Sequence, residues 1–276
     1  MPEAAVDLTI REALVGATGV LGQAGCDSPR LDAELLLAEA LRVGRAQLVL
    51  DAASPLDRVA AERFAALVRR RVAREPVAYI LGRKEFRYIT LSVDPRVLIP
   101  RPETELLVEV GLTLPAGVSV VDVGTGSGAV ALALRHERSD LVVTGTDASE
   151  DALAVARHNA ERLRLDVTFL RANLLDGVPG PFDAVLANLP YVPEDAELAP
   201  EITGHEPTAA LYAGADGLDA IRMLVGMLGG VAVAALEIGG EKQADPVASL
   251  LRNAGFESLE VLRDLAGHER VLVARR

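Results

Sequence analysis

The sequence predicts an α/β protein with a doubly wound, mostly parallel β-sheet and an antiparallel edge strand, preceded by a small all-helical domain. From residue 118 onward, apolar strand-like runs alternate with helical patterns, as in parallel sheets that are covered on both faces. Residues 1–75 show helical periodicity and no strand pattern. The last two predicted strands follow one another without a helix, which indicates the antiparallel edge.

Composition limits the classes of function. The chain has 276 residues, enough for one large domain or two modest ones. Its formal net charge of −12 and its 3% aromatic content disfavour a nucleic-acid-binding surface, which usually presents basic groups to phosphates and rings to bases. An acidic surface suits a basic protein partner instead. We therefore expect a protein partner and no direct contact with nucleic acid.

Metal, redox and membrane features are also sparse. Cys26 is the only cysteine, so no disulfide framework forms, and we expect it to be a small hydrophobic residue. The four histidines lack the spacing of metal ligands, so no metal is expected. The sequence shows neither a leader pattern nor an apolar run of membrane-spanning length. We expect a cytoplasmic monomer that does not bind membranes.

The first hundred residues divide into a helical domain, 1–75, and a connector, 76–100. Three helices are predicted: one around residues 10–21, one beginning at Pro29 after a capping signal, and one over residues 55–74. The basic run at 69–71 fits a solvated helix C-terminus. In the connector, residues 77–81 and 89–93 are predicted to pair as a β-hairpin around 85–88. The helical domain shows no catalytic pattern, which favours a role in recognition.

The remaining residues, 101–276, are predicted to form the catalytic domain. It begins with an apolar helix over 106–114. The predicted strands are 118–123, 141–146, 167–170, 182–187, 231–237, 257–262 and 270–274. The predicted helices are 129–136, 149–163, 218–228 and 242–254. In such sheets ligands bind beyond the carboxyl ends of the strands.

Polar groups and glycines follow four of these strand ends. A glycine loop lets the backbone approach a ligand closely and places helix N–H groups beside it. Asp147 could accept hydrogen bonds from two ribose hydroxyls, and Asn173 could reach an adenine edge. The candidate cofactor-binding residues are Gly124, Thr125, Gly126, Ser127, Gly128, Asp147, Asn173, Leu174 and Asn188.

The tetrapeptide Asn188-Leu189-Pro190-Tyr191 follows the fourth strand. Its Asn amide and the carbonyls around a rigid Pro turn suit a planar group that carries an NH₂, such as a carboxamide or the exocyclic amine of a base. Taken alone, the tetrapeptide is equally typical of an ordinary turn.

The loop pattern, Asp-x-Gly-x-Gly-x-Gly from Asp122 to Gly128, differs from the Gly-x-Gly-x-x-Gly of nicotinamide enzymes. It resembles the S-adenosylmethionine loop of the Rossmann-like methyltransferases. A glycine loop by itself would also fit a nicotinamide enzyme. The acid before the loop, Asp147 and Asn188 together favour the methyltransferase.

Most of the chain resembles the PrmC/HemK family of protein-glutamine methyltransferases. The resemblance rests on Pro-x-x-x-Ile-x-Gly-x-x-Glu-Phe at 76–86, Val-Leu-Ile-Pro-Arg-Pro-Glu-Thr-Glu at 97–105, the loop at 122–128, His-Glu-Pro at 205–207, Ala-Leu at 210–211, Asp-Gly-Leu at 216–218 and Gly-His-Glu-Arg at 267–270. It implies methylation of the Gln in the Gly-Gly-Gln motif of class-one peptide chain release factors. It also implies that the helical domain helps to hold this substrate.

Three positions depart from the family pattern. Leu189 stands where the family usually has Pro, although a carbonyl there can still accept a hydrogen bond. Asn173-Leu174 replaces a common Asp-x pair, and Ser92 stands where the family often has Phe, a ring expected near the methyl-transfer site. None of these changes removes a group that the chemistry requires.

The expected catalytic residues are Asn188, Pro190 and Tyr191, and Leu189 joins them in binding the substrate. We expect the Asn188 oxygen and the Leu189 carbonyl to accept the two N–H bonds of the substrate amide, while Pro190 and Tyr191 shape the pocket. Orientation would then carry most of the rate. Two alternatives remain at this point: an adenine amino-methyltransferase acting on RNA or DNA, since some of those enzymes use Asn-Leu-Pro-Tyr, and a binding module without activity.

Overall fold

The computed structural model describes residues 8–276, which divide into two compact units. The first contains the described residues up to Gly82 together with Leu198–His205, and the second contains Arg83–Glu197 and Glu206–Arg276. Among residues 8–276, none of the helices combines the length and the apolar character that crossing a membrane takes.

The elements are named in chain order. The helices are α1 (Ile10–Gln23), α2 (Pro29–Leu41), α3 (Arg45–Leu50), α4 (Arg58–Val72), α5 (Val77–Leu81), α6 (Glu105–Leu112), α7 (Ala129–Glu137), α8 (Glu150–Leu163), α9 (Pro200–His205), α10 (Asp219–Val225) and α11 (Glu241–Asn253). The strands are β1 (Arg83–Phe86), β2 (Ile89–Ser92), β3 (Ser119–Val123), β4 (Val142–Asp147), β5 (Thr168–Arg171), β6 (Ala184–Ala187), β7 (Val233–Glu237), β8 (Ser258–Arg263) and β9 (Glu269–Arg275).

The first unit is helical, as predicted. Helix α1 begins with a capping box, in which the Glu12 backbone N–H donates to Thr9 Oγ1 at 3.2 Å and the Thr9 N–H donates to Glu12 Oε2 at 2.9 Å. The apolar stripes of α1, α2 and α4 meet in one core around the fully buried Leu21, Leu36 and Leu37. Cys26 is buried in this core, which confirms the expectation that it packs as a hydrophobic residue.

A group of buried and partly buried charges, here called the arginine cluster, consists of Asp32, Arg71, Arg74 and Glu201 within the first unit. Arg71 donates to Asp32 at 2.7 Å and to Glu201 at 2.9 Å, and Arg74 donates to Glu201 at 2.5 Å. Arg71 is only 6% exposed, so the prediction of a solvated basic run at 69–71 is wrong for this residue. Its two carboxylate partners lie far away in the sequence, which is why the local pattern did not reveal the burial.

The predicted pairing of residues 77–81 with 89–93 is wrong. Residues 77–81 form helix α5, which has Pro76 at its N-cap and ends at Gly82 with φ +68°. The hairpin is instead β1 with β2, pairing Arg83 with Ser92 and Phe86 with Ile89. A short apolar run fits either a helix or a strand, and a Pro at its start and a Gly at its end favour the helix.

The second unit is built on a seven-stranded sheet of order β5-β4-β3-β6-β7-β9-β8. The first five strands in this order are parallel, while β9 is antiparallel to both β7 and β8. The sheet therefore confirms the predicted doubly wound, mostly parallel architecture with an antiparallel edge. Strands β3 and β6 are almost completely buried, as expected for central strands covered by helices on both faces.

The sheet register brings the functional segments to one edge. Val123 pairs with Thr146 of β4 and with Ala187 of β6, and Ala187 pairs with Leu236 of β7. Because parallel strands end at the same edge, the glycine loop, Asp147, the tetrapeptide and Glu237 all follow neighbouring strand ends.

Candidate functional site

The glycine loop between β3 and α7 depends on three left-handed glycines. Gly124, Gly126 and Gly128 have φ values of +74°, +54° and +82°. A Cβ added to Gly126 would meet no atom within 4 Å, whereas one added to Gly128 would lie 2.9 Å from the Leu132 side chain and 3.3 Å from Ala156. The backbone of Gly126 is thus open to a ligand, while the missing side chain of Gly128 leaves room for Leu132 of α7 and Ala156 of α8.

Asp122, the acid before the loop, is buried and stabilises the loop by hydrogen bonds. Its Oδ2 accepts hydrogen bonds from the Thr125 hydroxyl at 2.6 Å and from the Ala131 N–H at 3.1 Å. Burial raises the pKa of Asp122 to about 6, although these two hydrogen bonds act in the opposite direction. The observed role of Asp122 is therefore to organise the loop and the first turn of α7.

Asp147 at the end of β4 joins the loop to the next strand. Its Oδ2 accepts from the Gly126 N–H and its Oδ1 from the Ser149 N–H, both at 2.9 Å. Burial raises the pKa of Asp147, and the backbone hydrogen bonds lower it. A carboxylate has about four lone-pair sites, so each oxygen can still accept a hydrogen bond from a ligand hydroxyl group.

These groups surround a cavity of about 300 Å³, here called the donor cavity. Of the nine candidate cofactor residues, six line it: Gly124, Gly126, Asp147, Asn173, Leu174 and Asn188. The other three, Thr125, Ser127 and Gly128, are absent from its lining, and Thr125 and Ser127 are buried. Ser92 does not line it either; its backbone N–H and C=O are bonded to Asn159 of α8.

The tetrapeptide begins at the wall of the donor cavity. Asn188 donates from Nδ2 to Thr104 Oγ1 at 3.0 Å, and Asn188, Leu189 and Pro190 all line the cavity. Leu189 is 4% exposed, and a Cβ added to Gly124 would lie 3.0 Å from its side chain. Among the described residues, none donates a hydrogen bond to the Leu189 carbonyl oxygen.

Tyr191 lies on the wall of a second cavity of about 600 Å³, which is also lined by Gly239 and Gln243. Gln243 Nε2 donates to the Tyr191 carbonyl at 2.9 Å, and its Oε1 accepts from the Gly239 N–H at 2.7 Å. At Gly217 an added Cβ would be 2.2 Å from the Tyr191 carbonyl oxygen, which explains the glycine of the Asp-Gly-Leu motif. The tetrapeptide thus borders two cavities, and the hydrogen bond from Gln243 fixes the Tyr191 carbonyl.

Glu206, from the His-Glu-Pro motif, fixes another part of the donor cavity. It is 5% exposed, and its carboxylate accepts from the Ile99 N–H at 3.1 Å and from Arg101 at 2.5 Å. Pro207 next to it lines the donor cavity, as do Val97 and Leu98. The two motifs quoted around residues 97–105 and 205–207 are therefore joined through one buried carboxylate.

Four buried polar residues that contact the site were not singled out from the sequence: Thr104, Asn159, Glu237 and Gln243. All four are buried and bond to the loop or to the tetrapeptide. Asn159 Nδ2, for instance, donates to the Ser127 carbonyl at 3.0 Å. The available signal was a polar residue at a position that the helix or strand pattern makes internal.

The site suits S-adenosylmethionine. Asp147 offers carboxylate oxygens, Gly126 offers backbone with open space above it, and the cavity wall beside them is largely apolar. The fold is shared with known methyltransferases: the hMettl16 catalytic domain in complex with MAT2A 3′UTR hairpin 6 aligns with a TM-score of 0.56 at 15% identity, covering 76% of this chain and 81% of that one. A methyltransferase from Pyrococcus furiosus aligns with a TM-score of 0.51 at 18% identity, covering 67% and 87%. These comparisons show that the chain has the Rossmann-like methyltransferase fold.

Sequence comparison narrows the class to one family. Residues 12–82 match the PrmC N-terminal domain, and residues 102–204 match the methyltransferase small domain. The release factor glutamine methyltransferase of Deinococcus radiodurans is 41% identical over 281 residues, which cover 98% of this chain and 99% of that protein. The protein of the same name from Caulobacter vibrioides is 41% identical over 284 residues, 96% of each chain. The chain belongs to the release factor glutamine methyltransferase family.

Proposed function

We propose that this enzyme transfers a methyl group from S-adenosylmethionine to the side-chain amide nitrogen of the Gln in the Gly-Gly-Gln motif of class-one peptide chain release factors. Relatives that carry this activity in their names align with nearly the whole chain. The observation that carries the proposal is the tetrapeptide at the wall of the donor cavity, where Asn188 is held by Thr104.

The nitrogen of a carboxamide is a weak nucleophile because its lone pair is delocalised into the carbonyl. In this proposal the Asn188 side-chain oxygen and the Leu189 carbonyl accept its two N–H bonds and aim the nitrogen into the donor cavity. Pro190 limits the backbone freedom of the turn, and Tyr191 shapes the side that faces the second cavity. Orientation of this kind can supply several kcal/mol.

Bound in the donor cavity, S-adenosylmethionine would supply an electrophilic sulfonium methyl group, so the proposed transfer calls for no metal ion. Gly124 and Gly126 would approach it with backbone, and Asp147 would accept hydrogen bonds from its ribose. Asn173 and Leu174 would border the adenine, and Thr125, Ser127 and Gly128 would act indirectly by fixing the loop.

The other assignments extend the same proposal. The helical unit would recognise the release factor, and residues 101–276 would carry the catalysis. Because a release factor works in translation, the enzyme would act in the cytoplasm, and we expect it to be a monomer. The net charge of −12 favours a basic protein surface over a nucleic acid as the partner.

The test is transfer of a labelled methyl group from S-adenosylmethionine to a purified release factor, with the same factor carrying Ala in place of the motif Gln as control. Asn188→Ala should lower turnover at least a hundredfold because the substrate amide loses an acceptor, while cofactor affinity should change little. Label on the Ala-containing factor, or undiminished turnover by Asn188→Ala, would refute the proposal.

RNA and DNA belong in the same experiment as separate samples. Label on adenine instead of the release factor would establish the amino-methyltransferase alternative, and no label on any macromolecule would indicate a binding module.

A further inference from the structure

Gln243 is a buried side-chain amide beside the tetrapeptide that the proposed reaction does not use. It lies in the first turn of α11 and is only 8% exposed. Its Oε1 accepts from the Gly239 N–H at 2.7 Å, and its Nε2 donates to the Tyr191 carbonyl at 2.9 Å and to the Asp216 carbonyl at 3.2 Å. One amide thus joins the main chain of three separate segments. A half-turn of the amide would set its oxygen against two carbonyls, so it can face only one way.

The hydrogen bond to Tyr191 completes the anchoring of one peptide unit. The Tyr191 carbonyl and the Val192 N–H belong to the same planar unit. Gln243 holds the carbonyl, and the Leu211 carbonyl accepts from the Val192 N–H at 2.9 Å. Because its ring fixes φ at Pro190, the remaining freedom of the turn lies in the neighbouring peptide units. Loss of the Gln243 amide would release one of these units on one side.

The chain segment that carries Gln243 also contacts the Tyr191 side chain. The Tyr191 hydroxyl donates to Glu237 Oε1 at 3.3 Å. A Cβ added to Gly239 would lie 3.3 Å from Cδ2 of the Tyr191 ring. Residues 237–243 lead from the end of β7 into α11. This segment therefore contacts the hydroxyl, the ring and the carbonyl of one residue of the tetrapeptide.

Two glycines confine the Gln243 amide. At Gly217, which has φ +73°, an added Cβ would lie 2.8 Å from Nε2, and at Gly239 one would lie 3.1 Å from Oε1. A side chain at either position would crowd the amide. The backbone of the Asp-Gly-Leu motif and the backbone after β7 thus fit closely around the group that holds Tyr191.

We propose that Gln243 is a positioning residue that sets the tetrapeptide for methyl transfer. The inference rests on the proposed function, in which Asn188 and the Leu189 carbonyl receive the substrate amide. Gln243 lines the second cavity, whereas Asn188, Leu189 and Pro190 line the donor cavity, so Gln243 acts through Tyr191. A displacement of about 1 Å in a positioning group can lower a rate about a hundredfold, so release of the Tyr191 peptide unit should reduce kcat.

The first test needs no substrate. The chain has four tyrosines: Tyr79, Tyr88, Tyr191 and Tyr212. In protein labelled with ¹³C-tyrosine, Tyr191→Phe identifies one ring signal. Gln243→Met keeps a side chain of similar size without the hydrogen bonds, so it should shift the Tyr191 signal and leave those of Tyr79 and Tyr88 in place. Val247→Ala, in the core one turn along α11, is the matched control and should leave the Tyr191 signal unchanged. A Tyr191 signal that does not move in Gln243→Met would overturn the inference.

The second test is kinetic and uses the release factor. Gln243→Met should lower kcat about tenfold or more, while the dissociation constant for S-adenosylmethionine stays within about twofold of the parent value. Val247→Ala loses buried methyl groups, so it should also lower the melting temperature but keep kcat within about twofold of the parent. Equal losses of kcat at equal melting temperatures would mean that Gln243 acts only through stability, and the inference would fail.

The third test restores the missing amide. Because Gln243 lines the second cavity, Gln243→Ala leaves a space that opens into it. Acetamide supplies the atoms that this truncation removes and should raise kcat of Gln243→Ala about threefold or more, relative to the parent enzyme in the same solution. Acetate has a similar shape but no N–H to donate to the Tyr191 carbonyl, so it should not restore kcat. Equal rescue by both, or none by acetamide, would contradict the role assigned to the hydrogen bonds.

The outcomes separate the two proposals. A parent enzyme that never labels the release factor refutes the proposed function, while the Tyr191 signal still decides whether Gln243 holds the tetrapeptide. If the parent labels the release factor and Gln243→Met does so with the same kcat, the proposed function stands and the positioning role is refuted.

Discussion

Gly126 and Gly128 show how two glycines of one loop serve different purposes. Both have left-handed backbone, in which an L side chain is strained. They differ in surroundings, because Gly126 faces the donor cavity and Gly128 faces α7 and α8. One glycine therefore relates to ligand access and the other to packing.

Alanine at each position should separate these effects. Both variants carry a backbone penalty of about 1–2 kcal/mol. Gly128→Ala also crowds Leu132 and Ala156, so it should lower the free energy of unfolding by roughly 1–3 kcal/mol more than Gly126→Ala. Gly126→Ala should instead weaken S-adenosylmethionine binding. Urea unfolding and calorimetry measure the two quantities, and equal unfolding free energies would contradict this interpretation.

Residue by residue, the sequence indicated several of the groups that line the donor cavity and missed buried groups that bond to them. Gly126, Asp147 and Asn188 carry a signal because each follows a strand end. Thr104 and Glu237 carry only the weak signal of a polar residue at an internal position, because they bond to residues more than forty positions away. Sequence distance conceals such contacts until the sheet register is known.

At the scale of elements, the arginine cluster joins α2, α4 and α9 within the first unit. Helix α9 has only six residues, and none of them is fully buried. A helix this short is not stable by itself, so its order depends on external contacts. The two hydrogen-bonded ion pairs of Glu201 are the contacts best suited to supply it.

Glu201→Gln should therefore loosen α9. Arg71 keeps Asp32 as a partner, but Arg74 loses its carboxylate. Loss of a charged hydrogen bond in a buried site is worth about 1.5–3 kcal/mol, so amide hydrogens of residues 198–205 should exchange about tenfold faster or more. Exposed Glu197 offers the matched control, and Glu197→Gln should leave these rates unchanged. Identical exchange in the two variants would show that the cluster does not hold α9.

Long periodic elements were predictable, and short ones were not. The strands and helices of the sheet lie where apolar periodicity put them, because burial on both faces imposes a strong pattern. The five-residue run at 77–81 was read as a strand, and α3 and α9 were not recognised. In one or two turns, capping and distant contacts outweigh periodicity.

For the molecule as a whole, two buried carboxyls contribute to the pH dependence of stability in a direction opposite to that of ion-paired carboxylates. Asp122 and Glu237 have pKa values raised by burial to about 6 and about 7. Such a group keeps its proton longer in the folded state than in the unfolded state. Its contribution to stability is therefore most favourable at low pH, and this contribution falls as the pH rises from the pKa of the group in the unfolded state to its pKa in the folded state.

Glu237→Gln should remove the loss of folding stability that ionisation of Glu237 causes as the pH rises. Relative to the parent, its free energy of unfolding should increase between pH 4.5 and about 7 by roughly 3 kcal/mol, and then remain constant. Urea unfolding of both proteins at pH 4.5, 6 and 8 measures the difference. A constant difference across this range would mean that Glu237 has an ordinary pKa.

The discontinuity of the first unit limits how this protein can be truncated and how its units can be exchanged between relatives. The first unit is discontinuous in sequence, since Leu198–His205 belongs to it while the flanking residues belong to the second unit. Three peptide bonds therefore connect the units, after residues 82, 197 and 205. A chain shortened to begin at Arg83 would still carry Glu201 but would lack Arg71 and Arg74, leaving a carboxylate without its cations. The helical unit can thus be neither deleted nor transplanted by a single cut, and a working exchange between relatives must carry both pieces together.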